Sequence, residues 1–276
     1  MADEILHLGE SVLQHGKHGD RVYLMKFSPK DFPAIIGELY RLAEKYGYGK
    51  IFAKVPAWAK GEFEAAGYRC EARVPRLYDG REDACFMARF FDKKRELPRE
   101  RDKAEEIIRL SQAAPPQKPG ALPEAFACSV LTLADAPEMA AVYREVFPTY
   151  PYPIDDPAYI EETMADHAVY FGIKENGKLV ALCAGEMEME SRFAEMTDFA
   201  TLPPYRCQGF ASYLLAEVER EMVKRGMLTV YTIARSLSYG MNLTFARHGY
   251  CYGGTLINNT QIGGSIESMN VWFKTL

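Results

Sequence analysis

The sequence predicts a mixed α/β protein in which a smaller N-terminal half precedes a complete C-terminal domain. Three observations predict this class. The 276 residues are enough for about two domains of roughly 100–200 residues each. Strand-like and helix-like segments follow one another irregularly, without the regular βα alternation of a Rossmann domain. A charged and then proline-rich stretch, residues 93–125, separates two series of such segments.

The N-terminal half, residues 1–92, is predicted to hold four strands and two helices. Its strand-like runs are rich in β-branched and aromatic residues, and its helix-like runs space apolar residues three or four apart. We predict strands over 21–27, 50–55, from 67 onward and over 84–91, and helices over 29–46 and 57–66. The segment before residue 21 carries His7, His15 and His18 without metal-ligand neighbours, and we interpret it as flexible and polar.

The segment 93–125 is predicted to be a charged helix followed by a linker. A solvated charge run over 92–102 leads into helical spacing over 103–112. Four prolines then follow, at 115, 116, 119 and 123. Proline fixes φ and lacks a backbone N–H, so this composition is typical of a linker.

The C-terminal half, residues 126–276, contains a fuller series of elements. Asn176-Gly177 indicates a hairpin turn, and Gly249 is suited to end a helix. We predict strands over 128–133, 169–174, 179–189, 193–202, 228–234, 251–257 and 268–275, with helices over 135–147, 158–165, 211–225 and 238–248.

A short sequence similarity links the two halves. Phe63–Cys70 and Phe245–Tyr252 both contain F-x-x-x-G-Y after a predicted strand and short helix. The identities are few, so chance similarity remains an alternative. If the match is real, the chain carries a degenerate half-copy ahead of a complete domain.

Composition excludes several classes of protein. The net charge of −5 argues against general nucleic-acid binding, and no run of about 18 apolar residues could span a membrane. The first residues lack the pattern of a signal peptide. Six scattered cysteines without a C-x-x-C pair indicate reduced thiols and no zinc site. We therefore expect a cytoplasmic protein without a metal, a nucleic-acid partner or a membrane partner.

Charge is divided unevenly along the chain. Residues 1–120 carry a net +3, whereas residues 121–276 carry −8. Drift in surface composition is one interpretation. An acidic pocket for a cationic substrate is the other.

The most informative segment is the turn between a predicted strand and the helix over 211–225. A proline pair ends the strand, and Arg206, Gly209 and Ala211 form R-x-x-G-x-A at the start of the helix. The N-terminus of a helix presents unpaired N–H groups and a partial positive charge, and small residues let a diphosphate approach them. In this motif and in the order of elements over about 127–276, the sequence resembles the GCN5-related N-acetyltransferase (GNAT) family.

The resemblance implies a GNAT fold, acetyl-CoA as co-substrate and an amine as acetyl acceptor. Backbone atoms of Phe199, Ala200, Thr201 and Leu202 are expected to pair with the pantetheine arm. Residues expected at the pyrophosphate are Arg206, Cys207, Gln208, Gly209, Phe210, Ala211 and Ser212. Asn242 matches a position that often touches CoA in the family, although a helix-surface asparagine is the alternative.

Catalysis by such a family member requires a neutral amine, so a base must remove a proton. Glu195 matches the general-base glutamate of some members, and Asp198 is a second candidate, although strict alternation places it on the opposite face of the strand. The family often has a tyrosine that acts as general acid at the position where this chain has Phe245. Tyr239 is our candidate substitute, with Tyr231, Tyr252 and His248 as alternatives, or no acid is needed.

The whole-chain pattern is similar to a narrower group, the β-lysine N-acetyltransferases of bacteria and archaea, which form the compatible solute Nε-acetyl-β-lysine. Under that resemblance, Glu186 and Glu188 join Glu195 and Asp198 in holding the amines, unless these glutamates form a solvated face. Arg192 or Arg235 would hold the carboxylate. Tyr150 and Tyr152 would cover the amine, unless their loop is simply a stiff surface loop.

Two other functions remain open at this point. One is acetylation of another amine, such as a polyamine, aminoacyl or peptide acceptor. The other is CoA sensing or partner binding without catalysis. The N-terminal half has Phe27–Asp31 in place of a glycine loop, so we expect it to bind no CoA. It would serve packing, homodimer formation or closure of the substrate cleft.

Overall fold

The computed structural model describes residues 3–276. Residues 1 and 2, which belong to the N-terminal segment discussed above for its lack of a signal-peptide pattern, lie outside the described residues. The strands are β1 (Glu4–Leu8), β2 (Ser11–Gly16), β3 (Arg21–Lys26), β4 (Lys50–Pro56), β5 (Arg69–Tyr78), β6 (Glu82–Phe90), β7 (Phe126–Val130), β8 (Ala168–Glu175), β9 (Lys178–Glu188), β10 (Phe193–Thr201), β11 (Thr229–Arg235), β12 (Cys251–Ile262) and β13 (Ser265–Thr275). The helices are α1 (Ala34–Tyr46), α2 (Lys60–Ala65), α3 (Arg101–Gln112), α4 (Ala136–Val146), α5 (Pro157–Asp166), α6 (Phe210–Lys224) and α7 (Tyr239–Arg247). The predicted mixed α/β class is confirmed.

All of these strands join one continuous sheet in the order β1-β2-β3-β4-β6-β5-β12-β13-β11-β10-β9-β8-β7. Helices α6 and α7 cover one face of the C-terminal part, and α4 and α5 pack beside β8, β9 and β10. The amphipathic α6 buries Leu214, Leu215, Val218 and Met222. The predicted boundaries at 92 and 125 stay a prediction about sequence segments, because the sheet itself runs across them.

The first hairpin, β1 and β2, was missed by the sequence analysis, and the prediction of a flexible segment there was wrong. The strand β1 is largely exposed, while β2 buries polar residues. Ser11 and Gln14 are buried, and His15 Nδ1 lies 3.0 Å from the Tyr48 hydroxyl. Neither strand therefore shows the apolar alternation that identifies a strand in sequence.

The two halves repeat the same arrangement of strands. The order β1-β2-β3-β4-β6-β5 corresponds to β8-β9-β10-β11-β13-β12, and the parallel pairs β3–β4 and β10–β11 occupy equivalent places. In both copies of F-x-x-x-G-Y the glycine has φ of 83°. The tyrosine N–H donates to the phenylalanine carbonyl at 3.1 Å in both copies. Among residues 3–92 there is no counterpart of β7, α4 and α5.

The halves meet where β5 lies antiparallel to β12 at the pair Ala72–Gly254. The fit is close, because a Cβ on Gly254 would lie 2.2 Å from the carbonyl oxygen of Glu71. A shared apolar cluster crosses this junction, with Phe52 and Phe86 from one half and Tyr231 and Val271 from the other. The two halves are thus joined through β5 and β12 and also share an apolar cluster, which includes residues of β11 next to the site described below.

Candidate active site

The site begins where two neighbouring parallel strands separate. Strands β10 and β11 pair through Phe193–Thr229, Ala194–Val230 and Glu195–Tyr231 and then diverge. From Met196 to Thr201 the edge of β10 that faces β11 has no strand partner among residues 3–276. An open edge of this kind presents backbone N–H and C=O groups that an extended ligand can pair with.

A cavity of about 220 Å³ fills the wedge between these strands. The C-terminal half lines it with β10 and β11, with Ser238 at the N-cap of α7, and with Met241 and Phe245 of α7. The N-terminal half lines it with Arg21, Tyr23 and Phe52. Both halves therefore build one pocket, which supports cleft closure among the roles considered for the N-terminal half.

A β-bulge places Asp198 in this cavity. The pairing of β10 with β9 shifts between Thr197–Ala184 and Ala200–Leu182, so two residues of β10 oppose one of β9. Asp198 has φ of 56°, a left-handed conformation that aspartate tolerates better than most residues. Strict alternation would place the Asp198 side chain on the other face of the sheet from Glu195. The bulge overrides alternation, and both carboxyl groups line the same pocket.

Glu195 ends a chain of hydrogen bonds that reaches the N-terminal half. The Tyr231 hydroxyl donates to Glu195 Oε2 at 2.7 Å, and Lys54 Nζ donates to the Tyr231 oxygen at 3.0 Å. Burial raises the pKa of Glu195, and the opposing effects of Lys54 and the Tyr231 hydroxyl limit the increase. A carboxyl group with a raised pKa is a stronger base once it is ionised.

Two more carboxyl groups line the cavity, the half-buried Glu186 and the buried Asp198. Glu186 lies opposite Glu195 on β9, and burial together with the nearby Asp198 and Glu195 charges raises its pKa well above the ordinary value. Asp198 accepts a hydrogen bond from the Tyr150 hydroxyl at 2.5 Å and from the Thr197 hydroxyl at 3.1 Å. Burial also raises the pKa of Asp198, although these hydroxyl groups offset part of the increase. Three crowded carboxyl groups of this kind are suited to bind ammonium groups.

The loop between α4 and α5, residues 147–156, lines the cavity from a third side and is called the tyrosine-rich loop below. Tyr150 and Tyr152 both line the pocket, and the Tyr152 ring stacks on Tyr159 with centroids 6.4 Å apart. The carbonyl of Pro151 accepts a hydrogen bond from Gln14 Nε2 at 3.1 Å, so the N-terminal half holds the loop in place. The expected position of the loop over the acidic groups agrees with this geometry.

The loop at the start of α6, which is predicted to bind the pyrophosphate, contains two residues in the left-handed conformation. Cys207 has φ of 64° and Gly209 has φ of 80°, and a Cβ on Gly209 would meet no atom within 4 Å. The first N–H groups of α6 therefore face open space. Arg206 donates to the carbonyl of Thr201 at 3.2 Å, and the Ser212 hydroxyl lies 2.7 Å from His248 Nε2.

Several predicted site residues lie elsewhere. Arg192 sits in the turn between β9 and β10 and pairs with Asp79, so it does not line the cavity. Glu188 is not among the cavity-lining residues, and its carboxylate lies 3.5 Å from Lys26 Nζ. Tyr239 is 48% exposed and also lies outside the lining. The geometry gives these three no direct part in the pocket.

Two further residues line or support the site but are already bound within the protein. Arg235 lines the cavity while its guanidinium bonds Glu267 Oε2 at 2.8 Å. Asn242 is fully buried, and its amide donates to the carbonyls of Arg235 and Ser238. The side-chain oxygen of Asn242 accepts from Asn270 and Trp272. A CoA contact through the Asn242 side chain therefore has no geometric support.

Sequence reasoning missed the residues that the N-terminal half contributes, above all Arg21, Tyr23 and Lys54. Arg21 is 4% exposed and lines the cavity. A charged residue at the start of a strand is a weak signal, because such positions are usually solvated. The F-x-x-x-G-Y repeat was the available signal, because it indicated that the N-terminal half has a related fold and could pack against the C-terminal half.

Neither a metal centre nor a membrane span is found in the described chain. Residues 3–276 contain no group of three or more His, Cys, Asp or Glu side chains arranged to hold a metal. No helix in the same range has both the length and the apolar character needed to cross a membrane.

Comparison with known proteins agrees with this geometry. Residues 139–250 match the family described as "Acetyltransferase (GNAT) family". The chain is 39% identical to a β-lysine N(6)-acetyltransferase of Methanococcus maripaludis over 99% of its own length and 98% of the relative. It is 32% identical to the β-lysine N(6)-acetyltransferase of Methanosarcina mazei over 89% and 98% of the two chains. The ribosomal-protein-S18-alanine N-acetyltransferase of Escherichia coli superimposes on 54% of the chain and 93% of its own, with a TM-score of 0.48 and 18% identity.

Proposed function

The chain belongs to the GNAT family of acetyl-CoA-dependent N-acetyltransferases, and on this basis we propose that it acetylates the side-chain amine of β-lysine. The observation that carries the proposal is the group of three carboxyl groups that line the cavity beside the open edge of β10: the half-buried Glu186 and Glu195 and the buried Asp198. The near full-length similarity to two β-lysine N(6)-acetyltransferases supports the choice of acceptor.

The residues of the C-terminal half fit the two ends of acetyl-CoA. The unpaired edge of β10 from Phe199 to Thr201 would pair with the pantetheine arm. The N–H groups at the start of α6, with Arg206 beside them, would bind the pyrophosphate. The open space next to Gly209 leaves room for the phosphates to reach the backbone. When bound, acetyl-CoA supplies the activated acetyl group.

Glu195 is the proposed general base. Its carboxylate would take a proton from the ε-ammonium group of β-lysine, directly or through a water molecule. The neutral amine then attacks the thioester carbon, the C–N bond forms and the C–S bond breaks. The attacking nitrogen loses its second proton to the departing thiolate, directly or through solvent, so the products are the neutral amide and the thiol of CoA. Backbone N–H groups of the bulge at Asp198 and Phe199 would donate to the oxygen that gains negative charge.

Glu186 and Asp198 would hold the second ammonium group of the acceptor. β-Lysine carries two ammonium groups and one carboxylate at neutral pH, so a pocket with several carboxyl groups complements it. The product keeps one ammonium group and one carboxylate and is therefore neutral overall. That property suits the compatible-solute role implied by the resemblance.

The decisive experiment measures thiol release from acetyl-CoA with β-lysine, lysine, spermidine and a lysine peptide as acceptors. We expect β-lysine to be the preferred acceptor, with acetylation at the ε-nitrogen confirmed by mass spectrometry. Preference for spermidine or the peptide would contradict the proposed acceptor. Absence of turnover with every amine would instead indicate a protein that binds CoA without catalysis.

A matched pair of variants tests the proposed base. Glu195→Gln removes the proton acceptor but keeps the shape, so we expect kcat to fall about 10²–10⁴-fold with little change in acetyl-CoA affinity. Glu188→Gln serves as the control, because Glu188 lies on the neighbouring strand outside the cavity. Equal losses in both variants would remove Glu195 as the base.

A further inference from the structure

We propose that Arg21, supplied by the N-terminal half, binds the carboxylate of the acceptor and thereby selects an amino acid over a simple diamine. This inference rests on the proposed function and names a residue of the same pocket. It also gives the N-terminal half a specific task in substrate recognition.

The hydrogen-bond partners of Arg21 leave its positive charge without an anionic partner among the described residues. The side chain is 4% exposed and lines the cavity. Its Nη1 donates to the carbonyl of Asn259 and to the Thr260 hydroxyl, the latter at 3.2 Å, and Nη2 lies 3.5 Å from Gln14 Oε1. These acceptors are all neutral, and Nε has no hydrogen-bond partner in the described chain.

No Asp or Glu of residues 3–276 pairs directly with this buried charge. Among residues 3–276, no Asp or Glu oxygen lies within the 4.0 Å that defines an ion pair with the Arg21 guanidinium. The Asp3 carboxylate, whose charge acts on Arg21 from beyond ion-pair distance, accepts hydrogen bonds from the N–H groups of His18 and Gly19. A buried guanidinium without a counter-ion is costly, so such a group is expected to meet an anionic ligand.

Comparison with the other arginine of the cavity strengthens the assignment. Arg235 also lines the pocket, but Glu267 pairs with it, so its charge is already neutralised. Arg21 is the lining cation left without an acidic partner among the described residues. The pocket thus offers three carboxyl groups and one uncompensated cation, which matches the two ammonium groups and one carboxylate of β-lysine.

Arg21 is also coupled to the loop that covers the amine. Gln14 accepts from Arg21 and donates to the carbonyl of Pro151, between Tyr150 and Tyr152. The Arg21 guanidinium also lies over the Tyr23 ring, 5.1 Å from its centre. The subsite is therefore positioned by β2, β3 and the tyrosine-rich loop together.

The test compares two acceptors that differ in the carboxylate. One is β-lysine and the other is pentane-1,4-diamine, which retains both amines of β-lysine but lacks the carboxylate. We expect wild-type kcat/KM to favour β-lysine by about 10²-fold, because the diamine leaves the guanidinium unpaired. Arg21→Gln should reduce kcat/KM for β-lysine about 10²-fold and leave the diamine nearly unchanged, which removes the preference.

Two further variants guard against a purely structural effect. Arg21→Lys keeps the charge but loses the planar fork, so it should retain part of the preference. Arg192→Gln removes an arginine that pairs with Asp79 outside the cavity, so it should leave the preference intact. KM for acetyl-CoA should stay unchanged in Arg21→Gln and Arg21→Lys if both are folded.

The outcomes separate this inference from the proposed function. If wild type does not acetylate β-lysine, the proposed function fails, and the Arg21 assignment fails with it. If wild type does acetylate β-lysine, two results would overturn the assignment. In one, Arg21→Gln and Arg21→Lys both lower kcat/KM equally for β-lysine and the diamine. In the other, they lower kcat/KM for neither acceptor.

Discussion

At the residue scale, the ionisation of Glu195 depends on groups from both halves of the chain. Lys54 and the Tyr231 hydroxyl favour the ionised form, while burial and the Asp198 charge oppose it. The raised pKa of Glu195 means that activity should decline as pH falls through that pKa, because the base becomes protonated. The position of the acid limb of the pH profile therefore reports on these neighbours.

Lys54→Met and Asp198→Asn should shift that limb in opposite directions. Removing the cation at Lys54 raises the pKa of Glu195, so the acid limb of kcat/KM should move to higher pH by about one unit. Removing the negative charge at Asp198 lowers the pKa of Glu195, so the limb should move to lower pH. Profiles of kcat/KM from pH 5 to about 9 measure both shifts.

Tyr231→Phe provides the control for this prediction. It removes the hydrogen bond to Glu195 without changing the charge of the site, so its limb should move in the same direction as that of Lys54→Met. Identical limbs in all variants would mean that another group controls the observed ionisation.

At the scale of elements, the strand β10 and the helix α6 form one functional unit. The divergence of β10 from β11 opens the edge, and the left-handed residues Cys207 and Gly209 turn the chain so that α6 begins beside it. A side chain at Gly209 would occupy the space over the helix N-terminus. The same substitution would also force a non-glycine residue to adopt φ of 80°.

Gly209→Ala should therefore weaken acetyl-CoA binding about 10-fold or more and lower the free energy of unfolding by about 1–2 kcal/mol. Gly177→Ala is a matched control, since Gly177 has φ of 83° and equally open surroundings but lies in the β8–β9 turn. It should lose similar stability with unchanged KM for acetyl-CoA. Similar KM values in both variants would argue against a phosphate contact at this loop.

At the scale of the whole molecule, the continuous sheet makes the acceptor pocket a property of both halves. The residues proposed to bind acetyl-CoA all belong to the C-terminal half, whereas Arg21, Tyr23 and Lys54 come from the N-terminal half. The junction at Gly254 sets how the halves meet. A Cβ at Gly254 would lie 2.2 Å from the Glu71 carbonyl oxygen and 2.6 Å from Ala72 Cα. Both are backbone atoms, which cannot move aside without moving the strand.

Gly254→Ala should thus lower the free energy of unfolding by about 1–3 kcal/mol and raise KM for β-lysine more than KM for acetyl-CoA. Gly61→Ala is the control, because Gly61 lies in α2 with no atom near its Cβ position, so stability should stay equal or rise by up to about 1 kcal/mol. Thermal unfolding and steady-state kinetics measure both effects. An equal rise in both KM values would show that the junction does not act on the acceptor pocket selectively.

The sequence by itself determined the mixed α/β class, the order of elements in the C-terminal half, the GNAT family and the loop around Gly209. These are local properties, because a helix start, a turn or a strand depends on residues close together in the chain. The place of Glu195 before the R-x-x-G-x-A motif is local in the same sense, although its role as base remains a proposal.

Only the tertiary structure decided which side chains share the pocket. The Lys54–Tyr231 hydrogen bond joins residues 177 positions apart, and Arg21 meets Asn259 across 238 positions. The bulge at Asp198 reversed the face expected from alternation, and Arg192 and Tyr239 lay outside the cavity. The physical reason is that a pocket forms where distant segments pack together, and the pairing of those segments is not encoded in any local pattern.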